Sequence, residues 1–122
     1  MAALTFETVR ELGLALPGVT DGTTYGAPAL KLDRNMLACV PTNKSAEANC
    51  VVVRIDFERR AQLLEQHPDT YYITDHYASY PTVLVRLSKI TRPQLRRLLA
   101  NACAFAASPP ISPTASSKKR PL

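Results

Sequence analysis

The residues best placed to do chemistry stand between Tyr71 and Tyr80. Asp75 and His76 are adjacent there, and Tyr71, Tyr72, Tyr77 and Tyr80 are four of the chain's five tyrosines. A histidine with a pKa near ~6.5 can move protons at neutral pH, and a carboxylate can fix its tautomer. Successive side chains of an extended segment point to opposite sides, so Asp75 orients His76 only where the backbone turns tightly. No serine or cysteine is set beside this pair as a nucleophile. The expected role of the stretch is therefore packing and hydrogen-bonded anchoring of a loop, with an enzyme built on His76 the third of three readings. His67 and His76 are the only histidines, and neither has the HxxH, HxH or HxxE spacing of a metal site. There is no glycine-rich phosphate loop. No catalytic residue, metal or cofactor is expected.

Three cysteines, Cys39, Cys50 and Cys103, lie in apolar contexts without CxxC spacing. An odd count of this kind is neither a disulfide framework nor a zinc site, and the thiols are expected to pack as small hydrophobes. No apolar run is long enough to span a bilayer, and MAALTFETVREL lacks the basic start and apolar core of a secretory signal. A cytoplasmic protein that does not enter membranes is the expectation.

Charge is unevenly placed. Residues 1–75 hold seven Lys/Arg and ten Asp/Glu, a net of −3, whereas residues 76–122 hold eight Lys/Arg and no acid. Those eight are Arg86, Lys89, Arg92, Arg96, Arg97, Lys118, Lys119 and Arg120. An asymmetry of this size points to an anionic partner or to a solvated basic face.

The elements that position these groups read as helix, strands, helix, strand, helix. Thr5 caps a helix with Phe6, Val9, Leu12 and Leu16 on one face, and Leu16-Pro17-Gly18 ends it. Val19 to Ala29 reads as a loop leading into a strand, Ala29 to Leu32. Asp33-Arg34-Asn35 suits a hairpin, with Met36 to Val40 returning. Pro41 to Asn49 is polar and breaker-rich, a loop. Cys50 to Ile55 alternates as a strand, and Asp56 caps a helix from Phe57 to about Gln66, with Phe57, Ala61 and Leu64 inward. Thr82 to Leu87 repeats the earlier pattern, VLVRL against VVVRI. Thr91-Arg92-Pro93-Gln94 has the form of a capping box before a helix that reaches about Ala106. Hairpin-linked strands with amphipathic helices imply a two-layer α+β domain over residues 1–107, an antiparallel sheet with helices on one face. Residues 108–122 form a basic tail rich in proline and serine.

Strand parity then has a consequence. With the apolar sides facing the helices, Lys31, Arg54 and Arg86 project from the opposite face, together with Val52 and Leu84. A basic, half-apolar sheet face can neutralise phosphate while nearby tyrosines stack on bases. It can also pair with a second copy of the chain.

Three blocks, LPGVTDGTTYGAPALKL, CVVVRIDFERRAQLLEQHP and DHYASYPTVLVRLSKITRPQLRRLLANA, resemble the MmcQ/YjbR-like family over about residues 4–106. The most specific piece is Leu16-Pro17-Gly18-Val19-Thr20 followed by Tyr25-Gly26-x-Pro28-x-x-Lys31. The family often has tryptophan where Tyr25 stands. The resemblance implies a small two-layer domain akin in fold to type III secretion chaperones. It also implies bacterial proteins mostly of unknown function, some described as binding DNA through a double-wing arrangement. Tyr25, Gly26, Pro28 and Lys31 are the positions that carry over, with Gly26 and Pro28 shaping the turn. The reading that follows is a non-enzymatic nucleic-acid (DNA) binding module. Lys31, Arg54 and Arg86 would meet phosphate, and Tyr25, Tyr77 and Tyr80 would stack. The alternative is a protein-interaction module that forms a homodimer through the open sheet face.

Overall fold

The computed structural model describes residues 4–24, 26–33 and 35–107. Among them, six strands form one antiparallel sheet: β1 (Val19–Thr24), β2 (Ala27–Leu32), β3 (Asn35–Cys39), β4 (Cys50–Arg54), β5 (Tyr71–Tyr72) and β6 (Thr82–Arg86). Their spatial order is β1-β2-β3-β4-β6-β5. The helices are α1 (Phe6–Leu14), α2 (Phe57–Gln66), the single turn α3 (Asp75–Ala78) and α4 (Arg92–Ala107). The fold is α+β, as the alternation of periods implies.

Helix starts follow their capping chemistry, because first-turn N–H groups have no partner inside the helix. Asp56 Oδ2 accepts from the Arg59 amide at 3.1 Å. Thr91 and Gln94 bond reciprocally: the Thr91 amide donates to Gln94 Oε1 at 3.0 Å, and the Gln94 amide donates to Thr91 Oγ1 at 3.3 Å. The main core lies between the sheet and α1 with α4. Val9 and Leu12 of α1 and Leu95, Leu98, Leu99 and Ala102 of α4 cover Leu30, Val51, Val53, Val83 and Val85. Burying each such valine or leucine contributes about 1.5–3 kcal/mol. Gly13 lets α1 approach closely, since a Cβ there would collide with the Leu30 side chain.

The structure corrects three expectations. First, the loop expected from Val19 begins as a strand: β1 pairs with β2 from Val19↔Leu32 to Thr24↔Ala27. It has no apolar alternation because it is an edge strand, and edges are kept polar against association. Gly26, at φ 79°, closes the tight turn between the two strands, a backbone region that glycine enters without strain.

Second, the inner stripe of α2 is rotated. Phe57 and Ala61 are exposed, while Leu63, Leu64 and Arg60 are half-buried. Arg60 turns inward because backbone carbonyls of the segment before β6 need donors. Its Nη1 donates to Tyr80 O at 2.9 Å and Thr82 O at 3.1 Å, and its Nη2 to Ala78 O at 3.0 Å.

Third, the sheet's second face is not open at its centre. Val52 is 1% and Leu84 0% exposed. They join Ala29, Cys39 and Cys50 in a second small core, covered by Met36, Ala46, Tyr72 and Tyr77. Met36 belongs to β3 and Tyr72 to β5, and the rest of the cover is the 40–49 loop and α3. They are tied to each other where the Asn43 amide donates to Tyr77 Oη at 3.4 Å and Ser45 Oγ meets Thr74 Oγ1 at 3.0 Å. The tyrosines provide the apolar area that a polar loop lacks.

Candidate functional site

Beside this cover, between the 40–43 segment and the α3–β6 connection, lies a cavity of about 490 Å³. Its floor follows from strand parity. Cys50, Val52 and Arg54 alternate onto the second face of β4, and the register places Cys39 opposite Val52 and Thr82 opposite Arg54. Residues paired across antiparallel strands share a face, with Cβ atoms about 4.5–5.5 Å apart. Arg54 and Thr82 therefore stand side by side, and both line the cavity. Tyr77, His76 and Tyr80 line it from α3 and its exit, and Thr24 brings in the end of β1.

Arg54 is half-buried and held by one bond, from its Nε to the Met36 carbonyl at 2.6 Å. Among the described residues it has no carboxylate partner, and none of the residues lining the cavity is acidic. Burial works against its charge and lowers its pKa. Next to it, the Thr82 hydroxyl is buried without a hydrogen-bond partner among the described residues, in a residue only 5% exposed. Tyr80, by contrast, is 55% exposed. His76 meets Tyr77 edge-on, with ring centroids 4.7 Å apart.

Of the six residues singled out for binding, Arg54, Tyr77 and Tyr80 are brought together here. Lys31 shares the sheet face but lies on β2, its stem near the backbone of Gly22. Arg86 is on the same face at the other end of β6, and its donors are taken. Its Nη2 lies 2.8 Å from Glu47 Oε2, its Nη1 donates to the Pro68 and Asp69 carbonyls at 3.1 Å, and its guanidinium stacks 4.4 Å over the Tyr72 ring. Tyr25 lies outside the described residues, as do Lys118, Lys119 and Arg120 of the tail. Thr82, Asn43 and the bracing Arg60 were not singled out by sequence. Parity marks Thr82 as a second-face residue, but its pairing with Arg54 depends on β6 inserting beside β4. Folding also cancels part of the linear charge asymmetry. Glu47 meets Arg86, and Glu11 meets Arg92 at 3.1 Å, each acid from the first half on a cation from the second.

The arrangement offers binding chemistry. No hydrogen bond joins Asp75 to His76 among the described residues. Cys39 lines the cavity, but burial pushes its thiol up to about 11, and the neutral thiol is a poor nucleophile. Among the described residues no group of three His, Cys, Asp or Glu could hold a metal. No described helix is long and apolar enough to cross a membrane.

A helix-covered antiparallel sheet with a loop-roofed cavity on its second face defines a small two-layer α+β domain. The chain belongs to the YjbR family, whose model matches residues 14–102, a span that takes in every described strand and every described residue lining the cavity. It is similar in structure to a Deinococcus radiodurans protein, DR2400, described by a DUF419 domain. The TM-score is 0.65 at 19% identity, covering 84% of this chain and 78% of that one. At that identity the likeness speaks for the fold. Comparison with curated proteins returns no match.

Proposed function

We propose that this YjbR domain is a non-enzymatic nucleic-acid-binding module, and that it takes single-stranded DNA at the Arg54 cavity. One observation carries the reading. Among the described residues, a guanidinium without a carboxylate partner sits in a cavity lined by no acid, with an exposed tyrosine at its edge. Arginine's planar fork matches phosphate oxygens, and an exposed ring accepts an unstacked base. Duplex bases are already stacked, so the ring favours a single strand. Lys31 would add long-range attraction rather than a contact. Arg86 would contribute little, because Glu47 neutralises it. The alternative, homodimerisation through the second face, has less surface to use, since Val52 and Leu84 are buried within the chain. The free cysteines Cys39, Cys50 and Cys103 support a reducing compartment such as the cytoplasm as the place of action.

The test is fluorescence anisotropy of labelled single- and double-stranded DNA across a salt series, with Arg54→Gln and Arg86→Gln. The expected result is salt-sensitive binding that prefers the single strand, weakened about tenfold or more by Arg54→Gln and little by Arg86→Gln. Equal losses from both variants, or no binding at all, would overturn it.

A further inference from the structure

Resting on that reading, we infer that the unit the cavity receives is one nucleotide bearing a terminal phosphate monoester, entering phosphate first. Arg54 and Thr82 would hold the phosphate, and Tyr80 would stack on the base.

Size limits the occupant. The cavity's 490 Å³ lies toward the lower end of the roughly 300–1,000 Å³ typical of small-molecule sites, which suits one nucleotide and is cramped for two. Charge selects its leading end. The terminal nitrogens of Arg54 have no protein partner among the described residues, because only Nε is engaged, by the Met36 carbonyl. A monoester presents three oxygens and up to two negative charges at the tip of the molecule. An internal phosphodiester has a sugar on each side, and both would have to descend with it to reach a half-buried guanidinium. The tip of a strand, or a free nucleotide, needs no such passage.

Thr82 is the second, independent sign. Its buried hydroxyl lacks a partner among the described residues, an arrangement that costs a folded protein unless something satisfies it. It pairs directly across from Arg54 on the same face, and in the proposed complex its hydroxyl would turn to donate to the phosphate held by the guanidinium. No carboxylate of the described residues lines the cavity to repel the charge. Tyr80, two residues before Thr82, lines the cavity and is exposed, and His76 and Tyr77, edge to face, line it as well, aromatic rings against which the base would lie.

The experiment uses the full chain. Adenosine monophosphate, adenosine and inorganic phosphate are titrated by calorimetry. A labelled five-nucleotide DNA strand is then compared with a 5′-phosphate, a 3′-phosphate or neither. The monophosphate should bind at least tenfold more tightly than the nucleoside, and one terminal phosphate should strengthen the oligonucleotide by a similar factor. Arg54→Lys, which keeps the charge but loses the fork, should remove most of that preference. Thr82→Val, which keeps the shape, should reduce it several-fold and leaves the fold intact as a check. Equal binding of all three strands, with no competition from the monophosphate, overturns this inference and leaves the single-strand reading standing. Binding of the free monophosphate without any strand supports the inference and overturns the single-strand reading. Binding of none of them overturns both.

Discussion

Replacing Arg60 with methionine removes the brace behind the cavity without changing a side chain that lines it. Three bonds are lost, from the guanidinium to the carbonyls of Ala78, Tyr80 and Thr82 at 2.9–3.1 Å. Hydrogen bonds from charged donors contribute roughly 1.5–3 kcal/mol each in protected settings. The Tyr80 bond is exposed and is screened almost completely by water. The other two are only part-buried, so each is discounted to about 1 kcal/mol. The guanidinium also stacks 4.7 Å over the Phe57 ring, worth about 0.5 kcal/mol at an exposed site. Methionine keeps the aliphatic stem, so the expected loss is about 2–3 kcal/mol. Urea denaturation should show a midpoint lowered by about 1–2 M at unchanged slope. Hydrogen exchange should quicken in residues 74–82 more than in β4. A loss below about 0.5 kcal/mol, or exchange that quickens uniformly, would refute the view that one side chain braces this wall.

Other consequences are as specific. Leu84→Ala should cost about 2–5 kcal/mol by thermal or chemical unfolding, the penalty of a core cavity, whereas a solvent-facing leucine would cost almost nothing. Hydrogen bonding to Arg86 holds the Glu47 carboxyl below its ordinary range. A depressed folded-state pKa contributes stability above the unfolded value of about 4.5 and loses it as pH falls through the lower folded one. Glu47→Gln should therefore flatten the acid side of the stability curve, and an unchanged curve would contradict the ion pair. The Cys39 thiol, raised from 9.0 to about 11 by burial, has the opposite sign. Its contribution is complete below pH 9 and is lost as pH rises through about 11. A soluble disulfide reagent should label it far more slowly than the half-buried Cys103, and Cys39→Ala should be less destabilised by alkali than the parent.

Much of the fold is legible because period and punctuation agree. VVVRI and VLVRL become β4 and β6, lying side by side with Val51, Val53, Val83 and Val85 facing the helices. Asp56 and the Thr91–Gln94 box start their helices as their chemistry dictates. β1 was hidden because an edge strand with exposed side chains needs no hydrophobic alternation. The site was half legible for a related reason. Parity correctly places Arg54 and Arg86 on one face, but it does not say which cation will meet a carboxylate. Glu47, from a loop 39 residues away, takes Arg86, and no carboxylate of the described residues reaches Arg54. Thr82 has no signal of its own, since an unpartnered hydroxyl is a property of packing. The Arg60 bonds depend on where a loop's carbonyls fall, which local sequence does not encode.

The central claim is that the Arg54 cavity, rather than a diffuse basic surface, receives nucleic acid. Amide chemical-shift mapping of the full chain, on adding a short 5′-phosphorylated DNA strand, tests it most directly. The account predicts shifts concentrated at Asn43, Arg54, Tyr77, Tyr80 and Thr82. Shifts gathered instead around Lys89, Arg96 and Arg97, with the cavity silent, would contradict it.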